Sequence, residues 1–181
     1  MKKKLLLLAL VTLIVFNLCG QTWTAQTTPT PLGDLNKIQF IDSLKGWSVG
    51  DHYSSTASCI STINSGATWG MQYPPTYSLS TIASLFFVNA NYGFITATYG
   101  SSDFFKTSNG GVNWINMNGL PIPAIHALYF TDTTIGLAGG NSATSGMIAK
   151  TINGGTSWSQ VWINSPGSGD DVRQIQMLNS S

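Results

Sequence analysis

The chain has 181 residues, 43% of them hydrophobic and 11% aromatic, which is enough apolar material to bury a core and excludes a disordered polypeptide. Charged residues make up only 8%, against about 25% in an average soluble domain. All the acids are aspartates, no glutamate is present and Arg173 is the sole arginine, so the chain reads as a Ser/Thr/Asn/Gly-rich all-β protein without surface helices built on Glu/Lys pairs.

The first twenty residues, MKKKLLLLALVTLIVFNLCG, place Lys2, Lys3 and Lys4 ahead of an apolar run from Leu5 to Phe16. That is the layout of a secretory signal peptide over residues 1–20, and the run is shorter than the roughly 20 residues needed to span a bilayer. The expectation is export to the periplasm, the cell surface or the medium, with cleavage after Gly20 or Ala25. Lipid anchoring at Cys19 is not expected, because Leu18 stands where a lipoprotein signal has a small residue. Beyond Gly20 the positive residues are Lys37, Lys45, Lys106, Lys150 and Arg173 against seven aspartates, a net charge of −2. With no cluster of Lys or Arg, binding to nucleic acid or to an anionic membrane has no electrostatic support. Cys59 is then the only thiol, so no internal disulfide can form, and it reads as a small buried hydrophobe.

After a linker over 21–33, residues 34–181 read as a series of repeats. The first unit, about 36–75, opens with an apolar strand at Ile38–Ile41, turns at Asp42, and continues in a strand from Gly46. A Ser/Thr-rich loop follows, then a third strand at Cys59–Thr62 and the phrase TINSGATW ending at Trp69. The second unit, about 83–119, repeats this with Leu85–Val88, a turn at Asn89, a strand from Gly93, a third strand at Asp103–Thr107 and TSNGGVNW ending at Trp114. The third, about 126–164, has Leu128–Thr131, Asp132, a strand from Gly136, Met147–Thr151 and TINGGTSW ending at Trp158. A fourth opening strand begins at Ile175. Four short strands per unit, recurring about every 45 residues, predict a β-propeller segment: three blades and the first strand of a fourth, a truncated ring.

The repeated phrase predicts a structural clasp. Asn64, Asn109 and Asn153 can accept hydrogen bonds from backbone N–H groups two or three residues on. Gly66, Gly111 and Gly155 supply a positive φ, and Thr62, Thr107 and Thr151 add a hydroxyl bond. Trp69, Trp114 and Trp158 then cover the turn and fill space beside the next blade.

These residues resemble the Asp-box, or bacterial neuraminidase repeat. The combination of FIDSLKGWSVG at Phe40 with KTINGGTSW at Lys150 is most similar to the photosystem II stability/assembly factor-like propeller family. The resemblance covers Gly33 to the end and implies a propeller fold and a non-enzymatic assembly factor that binds a protein partner. It also places sialidases and xyloglucan-type glycoside hydrolases among the relatives. Sialidase chemistry, as that resemblance implies it, needs an arginine triad and a Tyr/Glu pair, which one arginine and no glutamate cannot supply. Glycoside hydrolysis would need two facing carboxylates. Asp42 and Asp132 occupy the same turn position and read as turn formers, whereas Asp51 with Asp103 or Asp171 could face one groove from the loops.

His52, His126 and Cys59 show no metal-ligand spacing, and SPGSGDD from Ser165 lacks the alternating oxygen pattern of a calcium loop. Neither a cofactor nor a metal is expected. The candidate binding rim is the end opposite the clasps, where Asp51, His52, Tyr53, Tyr73, Tyr77, Tyr99 and Asp103 offer hydrogen bonds and aromatic faces to a protein or carbohydrate. The expected function is a secreted, non-catalytic binding or scaffolding module, whose ring is closed by further blades of the same gene product or by self-association. The alternative is a fragment of an Asp-box glycoside hydrolase with an incomplete catalytic pair.

Overall fold

The computed structural model describes residues 24–53, 56–75, 81–99, 101–117, 119–164, 166–167 and 169–177, excluding the side chains of His52, Thr56, Tyr99, Ser101 and Ser102. The first blade comprises β1 (Leu35–Phe40), β2 (Gly46–Tyr53), β3 (Thr56–Thr62) and β4 (Gly70–Met71). The second comprises β5 (Thr81–Phe87), β6 (Gly93–Tyr99), β7 (Ser101–Thr107) and β8 (Ile115–Asn116). The third comprises β9 (Ala124–Phe130), β10 (Gly136–Asn141), β11 (Gly146–Thr151) and β12 (Ser159–Ile163). Each is a four-stranded antiparallel sheet whose strands lie side by side in chain order. The first strands meet at the hub, β1 against β5 and β5 against β9, while β5 also lies on β2 and β9 on β6. This is the radial packing of a propeller segment.

Two apolar cores fill the two seams between blades. The first joins Trp47, Val49, Ala57 and Cys59 to Ile82, Leu85, Phe87, Ile95, Phe105 and Trp114. The second joins Phe94 and Phe104 to Ile125, Leu128, Phe130, Ala138 and Ala149. At the centre of each seam two rings stack in parallel. Trp47 lies on Phe87 with centroids 3.6 Å apart, and Phe94 lies on Phe130 at 3.8 Å. Such a pair contributes about 0.5–1.5 kcal/mol beyond the area it buries.

Several strand boundaries differ from the expected ones. The opening strands begin three or four residues earlier than the apolar runs at Ile38, Leu85 and Leu128 suggest, because their first residues pair with the far ends of β2, β6 and β10. The Ser/Thr-rich loops expected in blades 1 and 2 are largely strand. Asp51, His52 and Tyr53 belong to β2, Tyr99 to β6 and Asp103 to β7. β-Branched and aromatic residues such as Thr96, Thr98, Phe104 and Phe105 sustain those ladders where serine content suggested a loop. In the third blade residues 142–145 do form a loop. Residues 172–177 follow blade 3 without a strand ladder, and Val172 donates from its N–H to the Gly140 carbonyl at 3.3 Å.

The clasp is the same in all three blades. Thr62 Oγ1 accepts from the N–H of Gly66 at 3.0 Å and of Asn64 at 3.3 Å and donates to Asn64 Oδ1 at 2.9 Å. Thr107 with Asn109 and Gly111, and Thr151 with Asn153 and Gly155, repeat these bonds within 0.1 Å. Each Asn Oδ1 accepts from the N–H four residues on, at Thr68, Asn113 and Ser157, each at 2.9 Å, rather than two or three on as expected. Gly66, Gly111 and Gly155 have φ of 84°, 93° and 87°, the left-handed region that glycine enters without penalty. Trp114 and Trp158 pack on their own blade and the preceding one rather than the next: Trp158 meets Phe130 edge-on at 6.1 Å and Phe104 of blade 2 at 5.4 Å, and Trp69 meets Phe40 of its own blade edge-on at 6.0 Å.

One close approach is especially demanding. A Cβ on Gly93 would stand 2.4 Å from the Phe87 ring, so any side chain there must push that ring off Trp47. Gly93→Ala is expected to destabilise the chain by about 1–3 kcal/mol, read as a lower Tm, whereas Gly70→Ala, with nothing within 4 Å of the new atom, should leave Tm almost unchanged.

The turns after the first strands make a second prediction. Asp42 Oδ1 accepts from the N–H of Lys45 and Leu44, and these bonds, Lys45 first, hold its carboxyl below the usual range. Asp132 is lowered likewise, first by the Thr134 hydroxyl and then by the N–H of Ile135 and Thr134. A carboxyl with a depressed folded pKa stabilises the fold fully above its unfolded value of about 3.9 and loses that contribution as pH falls through the lower folded value. Asn89 makes the same turn bonds without a charge. The Asp42→Asn/Asp132→Asn double variant should therefore keep the fold and show a shallower fall of Tm between about pH 5 and pH 2.

Candidate functional site

Three hub residues stand out because the strand ladders skip them. In β1 the register passes from Leu35 to Lys37, leaving out Asn36; in β5 it passes from Ile82 to Ser84, leaving out Ala83. In β9 it jumps from Ile125 to Ala127, leaving out His126. Each is the extra residue of a β-bulge at the same place in its blade, a device that turns a side chain away from the pleat. Asn36, Ala83, His126 and Arg173 are spaced 47, 43 and 47 residues apart, the intervals of the repeat itself. All four line one cleft of about 380 Å³ at the hub, together with Lys37, Thr81 and Thr98.

Two aspartates support this cleft. Asn36 Nδ2 donates to Asp51 Oδ1 at 2.8 Å. Arg173 Nε donates to Asp171 Oδ2 at 3.0 Å, and His126 Nε2 stands 3.7 Å from the same oxygen. The Asp171 side chain is 13% exposed, and its Oδ1 is buried with no hydrogen-bond partner among the described residues. The cleft therefore offers cationic donors from Lys37 and Arg173, an imidazole that can donate or accept, and the hydroxyls of Thr81 and Thr98. Such a surface suits polar, directional recognition.

The structure places the expected rim residues on several elements. Asp51 joins the hub cleft through Asn36. Tyr53 ends β2 and is 52% exposed, and Tyr73 follows β4 at 71%. Asp103, expected at the start of the third strand and able to face a groove, is on β7 opposite Ala97 and only 8% exposed. Tyr77 lies outside the described residues, as do the side chains of His52 and Tyr99. Sequence reasoning passed over Asn36, Lys37, Ala83 and Thr98 and treated His126 and Arg173 separately. The repeat interval was the signal that could have joined them.

Among the described residues no group of three or more His, Cys, Asp or Glu stands together as a metal site, and no helix is long and apolar enough to cross a membrane. Cys59 is completely buried in the first seam, and burial pushes its thiol up to about 12. A thiol reagent should therefore leave Cys59 unlabelled in the native chain and react with it after unfolding, with mass mapping to separate it from Cys19. Fast labelling of Cys59 under native conditions would show that the seam opens.

The fold and the hub geometry define a propeller segment of four-stranded blades. Comparison with solved structures places it beside YCF48, a photosystem II assembly factor. YCF48 bound to D1 peptide is similar at 21% identity and a TM-score of 0.62, over 76% of this chain and 42% of that one. YCF48 from Cyanidioschyzon merolae is similar at 19% identity and a TM-score of 0.61, over 75% of this chain and 42% of that one. The chain thus has the photosystem II assembly factor-like propeller fold and spans about two-fifths of the length of these structures. A GH74 xyloglucanase from Xanthomonas campestris matches at 10% identity and a TM-score of 0.49, over 65% of this chain and 19% of that one, too low to carry an argument. No protein-family model and no curated protein matches the chain.

Proposed function

We propose that the chain is an exported, non-catalytic binding module that holds a protein partner as an extended segment over the hub cleft. The observation that carries this reading is the cleft itself, where bulges bring Asn36 and His126 beside Lys37, Thr81, Thr98 and Arg173. Alternating donors and acceptors on an open surface match the N–H and C=O groups of a peptide backbone. The fold neighbour YCF48 is known bound to a peptide, which supports a peptide as the ligand class. Export rests on the leader, Lys2–Lys4 followed by the apolar run to Phe16.

Peptides selected from a displayed random library against the full chain test the reading. Selected peptides should bind the Arg173→Ala/His126→Ala variant at least about ten-fold more weakly, the loss of a few directional contacts. Failure to select any peptide, or undiminished binding to the variant, would overturn it. Fractionation of the source cells tests export: the processed chain should lie outside the cytoplasm.

A further inference from the structure

One group lining the hub cleft changes charge near neutral pH. Of the four repeat-spaced positions, Asn36 and Ala83 do not titrate, Arg173 stays protonated, and His126 alone passes between neutral imidazole and imidazolium. The bulge in β9 sets it outside the ladder, between the paired residues Ile125 and Ala127. Those neighbours face the seam and are 0% and 4% exposed, whereas the His126 side chain is 36% exposed. The bulge therefore opens the ring to solvent protons and to a ligand in the same cleft.

The surroundings of the ring make its charge consequential. His126 Nε2 stands 3.7 Å from Asp171 Oδ2, outside hydrogen-bond reach for a neutral ring and inside ion-pair reach for a protonated one. That oxygen already accepts from Arg173 Nε at 3.0 Å. An imidazolium at position 126 therefore shares the carboxylate with the guanidinium, and Arg173, 85% exposed, has its remaining donors to offer a ligand. Among the described residues the other elements around the ring bring no second free acid. β1 brings Lys37, β5 Thr81 and Ala83, and β6 Thr98. β10, paired with β9, brings Gly139, Gly140 and Asn141. Asp51 of β2 accepts from Asn36, and Asp170 accepts from Asn164. Protonation thus adds one positive charge to a cleft that holds Lys37 and Arg173 against Asp171.

We infer that His126 makes the hub cleft a proton-controlled seat for an acidic segment, whose Asp or Glu side chain lies between the ring and Arg173. The inference rests on the reading of the cleft as a peptide seat and adds the chemistry and the regulation of that same site. Its sign follows from the charges. Below the imidazole range Lys37, His126 and Arg173 all meet the ligand carboxylate as cations; above it one of the three is lost. Binding therefore tightens as pH falls through that range, and it weakens again only where the ligand's own carboxylates protonate, near about pH 4. A basic segment would show the opposite sign.

Two end-capped octapeptides, one of alternating Ser and Asp and one of alternating Ser and Asn, are the probes, titrated into the full chain by calorimetry at pH 5.5 and at pH 7.5. The Ser-Asp peptide should bind about two- to five-fold more tightly at the lower pH, the scale of one partly exposed ion pair, and the Ser-Asn peptide equally at both. His126→Gln should abolish the step, and His126→Lys, charged at both pH values, should hold the tighter affinity throughout. A purely structural role for the ring would not give that rescue. Equal Ser-Asp affinity at the two pH values, tighter binding at pH 7.5, or a step kept by His126→Gln would each overturn the inference and leave the peptide reading standing. Binding of neither peptide would overturn it as well, and the random library then decides the peptide reading by itself.

Discussion

The contact on which the rest of the structure depends is a phenylalanine ring held between a glycine and an aromatic residue of the preceding blade. Phe87 lies against the backbone of Gly93, stacks on Trp47, and meets Trp114 edge-on at 6.0 Å. One side chain therefore ties the second strand of its blade, its clasp and the neighbouring blade. Phe130 repeats the arrangement with Gly136, Phe94 and Trp158. No member of the set can change alone: a Cβ on the glycine displaces the ring, and a smaller ring leaves a void in a core packed at crystal-like density. The clasp adds to the same lock, because Trp47 Nε1 donates to the Gly110 carbonyl at 2.9 Å.

That lock separates the two ends of each blade. At the clasp end the blades use the same residues, since hydrogen-bond geometry and a positive φ admit few substitutes. At the hub the corresponding residues are Asn36, Ala83, His126 and Arg173, all different. The first three are bulged out of the ladder, so they neither pair in the sheet nor fill the seam. Their neighbours Leu85, Ser84 and Ile82 are buried, and the bulge lets position 83 differ without disturbing them. Constant residues mark what the fold requires, and the varied ones mark where it leaves chemistry free.

The propeller segment was legible in the sequence because its strongest constraints are local. Thr, Asn, Gly and Trp at fixed offsets announce a turn, and three such turns in phase announce blades. Strand length was less legible: Ser and Thr between Asp51 and Ser58 suggested a loop, whereas cross-strand pairing from Gly50↔Ser58 to Tyr53↔Thr56 carries the ladder nearly to its end. Burial was hidden for the same reason. Asp103 reads as a polar residue open to a groove until the alternation along β7 places it inward with Phe105, both buried. The hub cleft was hardest to read, since a bulge has no composition of its own and Asn36, His126 and Arg173 share no chemistry that a motif would capture.

The economy of charge makes the hub more than a geometric curiosity. Beyond Gly20 the chain holds five cations and two histidines. Lys37, Arg173 and His126 all line the hub cleft. The Arg173 side chain is 85% exposed, and an ion pair so open to solvent on one side contributes little to stability, so the fold gains little from gathering scarce charges there. Charges gathered on residues such as His126 and Arg173, which the sheets do not use, are therefore placed by something other than the needs of the fold.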